Sequence, residues 1–213
     1  MNLFIYGDSS SIDDFKDPRT YLYKIKEYFG LNPRNFSVGG SSLDFTQTMV
    51  SESCHEWSSN DIVILVLSHS DRAWIIEKEP SVASFSGLNN VRRFPREFIN
   101  HVEWYFGKVK NPRIDISQRN HFIRSLSYLV NEKNLRSLVL LEGFNEKASK
   151  YIEMPTNIVY SEEGCFGDIS RKELNGKYIT SEDTRKNHIN FENHEIVANK
   201  IISAIENKRN FHL

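Results

Sequence analysis

Three short segments of this 213-residue chain hold residue types that can do chemistry on a bound ligand. The first is Gly7-Asp8-Ser9-Ser10, directly after the apolar run Leu3-Phe4-Ile5-Tyr6. If that run is a strand of an open α/β sheet, ligands bind beyond its carboxyl end, and Ser9 is placed to act on one. Gly7 permits a tight turn, and the Ser9 N–H can face a developing oxyanion. The second is Asn35-Phe36-Ser37-Val38-Gly39-Gly40-Ser41-Ser42, where paired glycines let backbone approach a ligand and expose an N–H donor. The third is Asp183-Thr184-Arg185-Lys186-Asn187-His188-Ile189-Asn190. A histidine just before a helix, with an acid close upstream, can serve as an oriented general base. Each segment alone also reads as ordinary structure: Asp and Ser cap helices, glycine pairs make turns, and a loop histidine sits readily on a surface.

The elements that must position these segments are legible in the apolar pattern. Leu3–Tyr6 and Ile62–Leu67 are continuous apolar runs, as expected of strands covered on both faces. Leu138–Leu141 is a third strand, Asn157–Tyr160 a weaker fourth, and Phe36–Val38 a short one before the glycine pair. Between them the spacing predicts helices. Asp17 caps the first, Pro18 takes its first position, Leu22, Ile25 and Phe29 form its apolar face, and Gly30 stops it. Phe122, Leu126, Leu129 and Val130 mark a helix before the third strand, and Val197, Ile201, Ala204 and Ile205 a C-terminal one. Strand and helix alternate, so the expected fold is three-layer α/β/α with a mainly parallel sheet. The length suits one domain over residues 1–213, with an irregular elaboration over about 71–120 that includes a short helix near Phe98–Phe106.

Taken together, the blocks resemble the SGNH (GDSL-type) hydrolase family of serine esterases and acyl hydrolases. Gly7-Asp8-Ser9 resembles its nucleophile block, and Asn35 followed by Gly40 its glycine block. Ser68-His69-Ser70-Asp71 falls where the family has Gly-x-Asn-Asp, and His188-Ile189-Asn190 resembles its Asp-x-x-His block. The resemblance covers nearly the whole chain and implies the flavodoxin-like SGNH hydrolase fold. It also implies roles: Ser9 as nucleophile, His188 as general base, and an oxyanion hole from the Ser9 N–H, the Gly40 N–H and a third-block side chain. That third donor is Ser70, where the family has Asn, with His69 or Arg72 as alternatives. The family's acid position, three residues before the histidine, holds Arg185 here. Asp183 is the nearest orienting acid and Glu182 the second; a Ser–His dyad oriented by a backbone carbonyl is the remaining arrangement. His69, Asp71 and Arg72 are candidate substrate contacts. The implied substrate is a small-molecule or carbohydrate ester, with an O-acetyl sugar preferred for the aromatic-containing elaboration. The implied chemistry needs no metal or organic cofactor. The departures at Ser70 and Arg185 also fit a different class, a catalytically decayed binding or structural module.

Composition narrows the rest. Lys and Arg number 27 against 28 Asp and Glu, so the net charge is 27 − 28 = −1, which speaks against a nucleic-acid partner held by bulk electrostatics. Two cysteines, Cys54 and Cys165, are too few for a disulfide framework. Met1–Asp8 has no basic n-region, and Ile62–Leu67 falls far short of the ~20 residues that span a bilayer, so a cytoplasmic chain with no membrane partner is expected. No Gly-x-Ser-x-Gly, Gly-x-Gly-x-x-Gly or P-loop occurs, and neither Cys54-His55 nor His188 with His194 has zinc-ligand spacing. The basic cluster Arg92-Arg93-Phe94-Pro95-Arg96 reads as a solvated loop. Trp104-Tyr105-Phe106, with Trp74, reads as packing or as a pocket wall.

Overall fold

Each of the three long apolar runs forms a strand: β1 (Asn2–Tyr6), β3 (Ile62–Leu67) and β6 (Ser137–Glu142). They belong to a computed structural model of the chain, which describes residues 1–12, 15–68, 72–74, 83–84, 95–142, 154–163 and 191–212. With β2 (Asn32–Asn35), β7 (Val159–Glu163) and β8 (Phe211–His212) they make a parallel sheet of order β2-β1-β3-β6-β7-β8. The first five in that order run 2-1-3-4-5 in sequence, the flavodoxin-like order, whose switch point lies between β1 and β3. The chain is therefore α/β, with helices on both faces of a parallel sheet.

Side-chain alternation splits the core in two. Leu3, Ile5, Ile62, Ile64, Val66, Val139 and Leu141 face one layer. There they meet Leu22 and Ile25 of α1 (Tyr21–Phe29) and Val197, Ile201 and Ile205 of α5 (Phe191–Asn207). Phe4, Tyr6, Val63, Leu65, Leu67, Leu138 and Leu140 face the other. That layer holds Val50 of α2 (Leu43–Ser53) and Phe122, Ile123, Leu126 and Val130 of α4 (Pro112–Lys133). Strands buried on both faces have no polar positions to spare, which is why they read as unbroken apolar runs. A short antiparallel pair, β4 (Arg72–Ala73) with β5 (Ala83–Ser84), and α3 (Arg96–Trp104) lie in the elaboration. A single π-helical turn, Tyr105–Val109, follows α3.

Two local expectations shift. The second strand is Asn32–Asn35, not Phe36–Val38; it is an exposed edge strand with no apolar residue, held by its backbone pairing to β1. The first helix starts at Tyr21 behind Thr20, whose hydroxyl accepts from the Tyr23 N–H; Asp17 and Pro18 lie before it. The Asp17 carboxylate is occupied in a turn with the Arg19 backbone and guanidinium, which hold it down to about 2. The fourth strand begins two residues later than its apolar signal, and the helix predicted around Phe98–Phe106 is α3 with its π turn.

Gly7 closes β1 with φ 145°, and a Cβ there would lie 2.6 Å from Ser11 Oγ, 2.7 Å from the Val66 carbonyl and 2.9 Å from Val66 Cβ. Glycine is required, because at this positive φ a side chain would run into Val66 of the neighbouring strand and into Ser11. Beneath it, Trp57 Nε1 donates to the Tyr6 hydroxyl at 3.0 Å, Tyr6 meets Ser53 Oγ at 2.6 Å, and Ser53 donates to the Met49 carbonyl. Burial pushes the Tyr6 phenol up to about 12, against the lowering effect of those hydrogen bonds. Gly7→Ala is expected to destabilise by at least ~2–3 kcal/mol in urea unfolding, combining backbone strain with overpacking. Tyr6 binds its proton more tightly folded than unfolded. Stability is therefore full below pH 10 and falls as pH rises through about 12, by on the order of 2 kcal/mol. Tyr6→Phe should remove that alkaline loss in a pH series of unfolding curves.

Candidate active site at the carboxyl rim of the sheet

The Gly7–Ser11 turn after β1 is built by its own acid. Asp8 Oδ1 accepts from the Ser10 N–H at 2.9 Å, and the Asp8 carbonyl accepts from both the Ser11 N–H and the Ser11 hydroxyl. Asp8 is 0% exposed, so its charge needs a partner. Arg72 provides it: Nη1 lies 2.6 Å from Asp8 Oδ2, and the same atom donates to the Ser41 carbonyl at 3.3 Å. One guanidinium thus ties the turn after β1, the glycine loop after β2 and the segment after β3.

The glycine loop is fastened to the same turn from its other side. The Gly7 carbonyl accepts from the Val38 N–H and the Ser41 hydroxyl. Asn35 Nδ2 donates to the Ser11 carbonyl, and its Oδ1 accepts from the Ser37 N–H. Gly40 takes φ 75°, and a Cβ at Gly39 would fall 3.3 Å from Ile12 Cδ1 and 4.0 Å from Ser9 Cβ, so Gly39 packs closely against the turn that carries Ser9. From the α1 side the Tyr21 hydroxyl donates to the Ser10 carbonyl at 3.2 Å.

Ser9 stands apart from this net. It is half-buried. Among the described residues no hydrogen bond engages its hydroxyl, its N–H or the Gly40 N–H. A hydroxyl and two N–H donors are left open at the switch point, where α/β sheets bind ligands.

The surroundings are polar and aromatic. Ser68 follows β3 at 3% exposure, and among the described residues its hydroxyl has no hydrogen-bond partner. Arg119 of α4 pairs with Glu142 at the end of β6. A helix of 22 residues is about 33 Å long against about 20 Å for a six-residue strand. The turns of α4 before Arg119 therefore rise past the rim. The π turn joins this wall to the site: Lys110 Nζ donates to the Arg72 carbonyl at 3.1 Å and lies 5.0 Å from the Phe106 ring. Trp74 packs edge-on against Phe45 at 5.3 Å.

Of the residues singled out from sequence, Ser9, Gly40 and Arg72 lie together around Asp8. His188, Asp183, Ser70, His69 and Asp71 lie outside the described residues. His194, six residues after His188, is seated: its Nδ1 accepts the Tyr21 N–H at 3.1 Å and its ring stacks on Tyr21 at 5.7 Å. That contact docks the start of α5 against α1. Sequence reasoning missed Ser41, Tyr21 and Lys110, whose partners lie 11 to 38 residues away and carry no local signal. Among the described residues there is no group of three or more His, Cys, Asp or Glu side chains that could hold a metal ion, and no helix long and apolar enough to cross a membrane.

No family model matches the chain, and neither does any curated protein. A solved structure titled "Crystal Structure of TesA" aligns with it at 14% identity and a TM-score of 0.45, over 97% of this chain and 98% of that one.

Removing Arg72 would strand the Asp8 carboxylate. Arg72→Met is expected to cost about 3–5 kcal/mol in unfolding free energy, and Asp8→Asn in the same chain to recover a large part of it. A double-mutant cycle by denaturant unfolding measures the coupling; additive losses would show that the pair is not what holds the three loops.

Proposed function

We propose that the chain is a serine hydrolase of SGNH type that cleaves an ester-linked acyl group through an acyl-enzyme on Ser9. The observation that carries this reading is Ser9 itself. Every neighbour in its turn is fixed by hydrogen bonds, while its own hydroxyl is left open beside the glycine loop at the sheet's switch point. Rigid support around one unengaged hydroxyl is the preorganisation a nucleophile needs.

In this mechanism His188 takes the proton from Ser9 Oγ as that oxygen attacks the ester carbonyl. The oxyanion is held by the Ser9 N–H, the Gly40 N–H and Ser70, each donor worth ~2.7–4 kcal/mol in the transition state. Collapse expels the alcohol, which takes the proton from His188. Water then attacks the acyl-Ser9 carbonyl, giving its proton to His188, and the carboxylic acid leaves with Ser9 regenerated. Asp183 orients the imidazole. The docking of α5 supports the base assignment. His188 is three residues before Phe191, so the chain can carry it no more than ~11 Å from the start of α5. That helix is anchored on Tyr21, which in turn holds Ser10. His69 and Asp71 are proposed to meet the substrate, while Arg72 holds the turn through Asp8. The polar rim, with Trp74 packed on Phe45 and Phe106 beside Lys110, suits a carbohydrate O-acetyl ester.

A fluorophosphonate probe tests the assignment. Wild-type protein should be labelled at Ser9 and hydrolyse short acyl esters. Ser9→Ala should lose labelling and at least ~10³-fold in kcat. Equal labelling of both proteins sinks the nucleophile. Absence of turnover, with ligand binding unchanged by Ser9→Ala, would identify a decayed binding module instead.

A further inference from the structure

Ser68 is a buried polar residue at this rim whose chemistry the mechanism above does not use. It is the first residue after β3, and its side chain is buried at the rim. At 3% exposure its hydroxyl has lost water, yet it has no hydrogen-bond partner. The great majority of buried polar atoms are paired, and an exception in a site is where a ligand is expected to supply the missing partner.

Its position is specific. Gly7 continues β1 beside Val66 of β3, two residues before Ser68, with the Val66 carbonyl 2.7 Å from where a Gly7 Cβ would be. Ser68 therefore directly follows the strand that the turn carrying Ser9 lies against. The core hydroxyl chain of Trp57, Tyr6 and Ser53 shows the contrast: there each polar atom is matched within the fold. Ser68 could have been alanine at no loss of a hydrogen bond.

We propose that the Ser68 hydroxyl is a substrate-binding donor of this site, giving its hydrogen bond to the ester group held against Ser9. The proposal rests on the hydrolase reading. It makes Ser68 a group that touches substrate, beside the third-block donor proposed at Ser70.

The test is Ser68→Ala, read by steady-state turnover of a short-chain p-nitrophenyl ester, thermal unfolding and fluorophosphonate labelling of Ser9. The expected result is a fall of at least ~10-fold in kcat/KM with Tm unchanged or raised, because the fold loses no hydrogen bond. Unchanged kcat/KM overturns the proposal. So does a fall in kcat/KM accompanied by a lower Tm, which would make the hydroxyl structural. Labelling separates the two readings. If wild-type Ser9 reacts and Ser68→Ala is as active as wild type, only the role of Ser68 fails. If wild-type Ser9 does not react, the hydrolase reading fails and the proposal fails with it.

Discussion

The buried pairing of Asp8 with Arg72 is the interaction on which the rim of this protein depends. A carboxylate with no exposure is costly unless a cation meets it and its remaining lone pairs are taken up. Arg72 meets one oxygen and the Ser10 N–H takes the other. Because the same guanidinium also bonds the Ser41 carbonyl, satisfying one charge fixes three loops at once. Lys110, bonded to the Arg72 carbonyl, extends the arrangement to the wall formed by α4 and its preceding turn.

The sheet below this arrangement is uniform. β1, β3 and β6 send apolar side chains into both layers. The buried hydroxyls of Tyr6 and Ser53 are matched internally, with Trp57 and Met49. Unmatched polarity collects at the carboxyl ends of the strands, in the open groups of Ser9 and Gly40 and the buried hydroxyl of Ser68. A fold that satisfies its interior and leaves donors open at one edge has confined its reactivity to that edge.

Legibility followed burial. The three central strands were readable because two-sided burial demands an unbroken apolar run. β2 was not, since Asn32-Pro33-Arg34-Asn35 is exposed and its pairing with β1 is made by backbone alone. The start of α1 was misplaced because Asp17 and Thr20 are both competent caps. The choice was made by the Tyr21 N–H finding His194, 173 residues away. At the site, Ser9, the glycine pair and Arg72 were visible as residue types at strand ends. What joins them was not: Asp8 and Arg72 are 64 residues apart.

The amino-acid sequence by itself determined the α/β architecture, the strands that carry the rim and the small set of residues able to act there. Periodicity and residue type are local properties, and they suffice for that. Only the tertiary structure decided which of those residues are spent on the fold and which are left open. Asp8, Asn35, Arg72 and His194 have partners 24 to 173 residues distant, and Ser9 and Ser68 have none among the described residues. Hydrogen-bond satisfaction is a property of the assembled surroundings, so no local pattern could have told the anchored residues from the open ones.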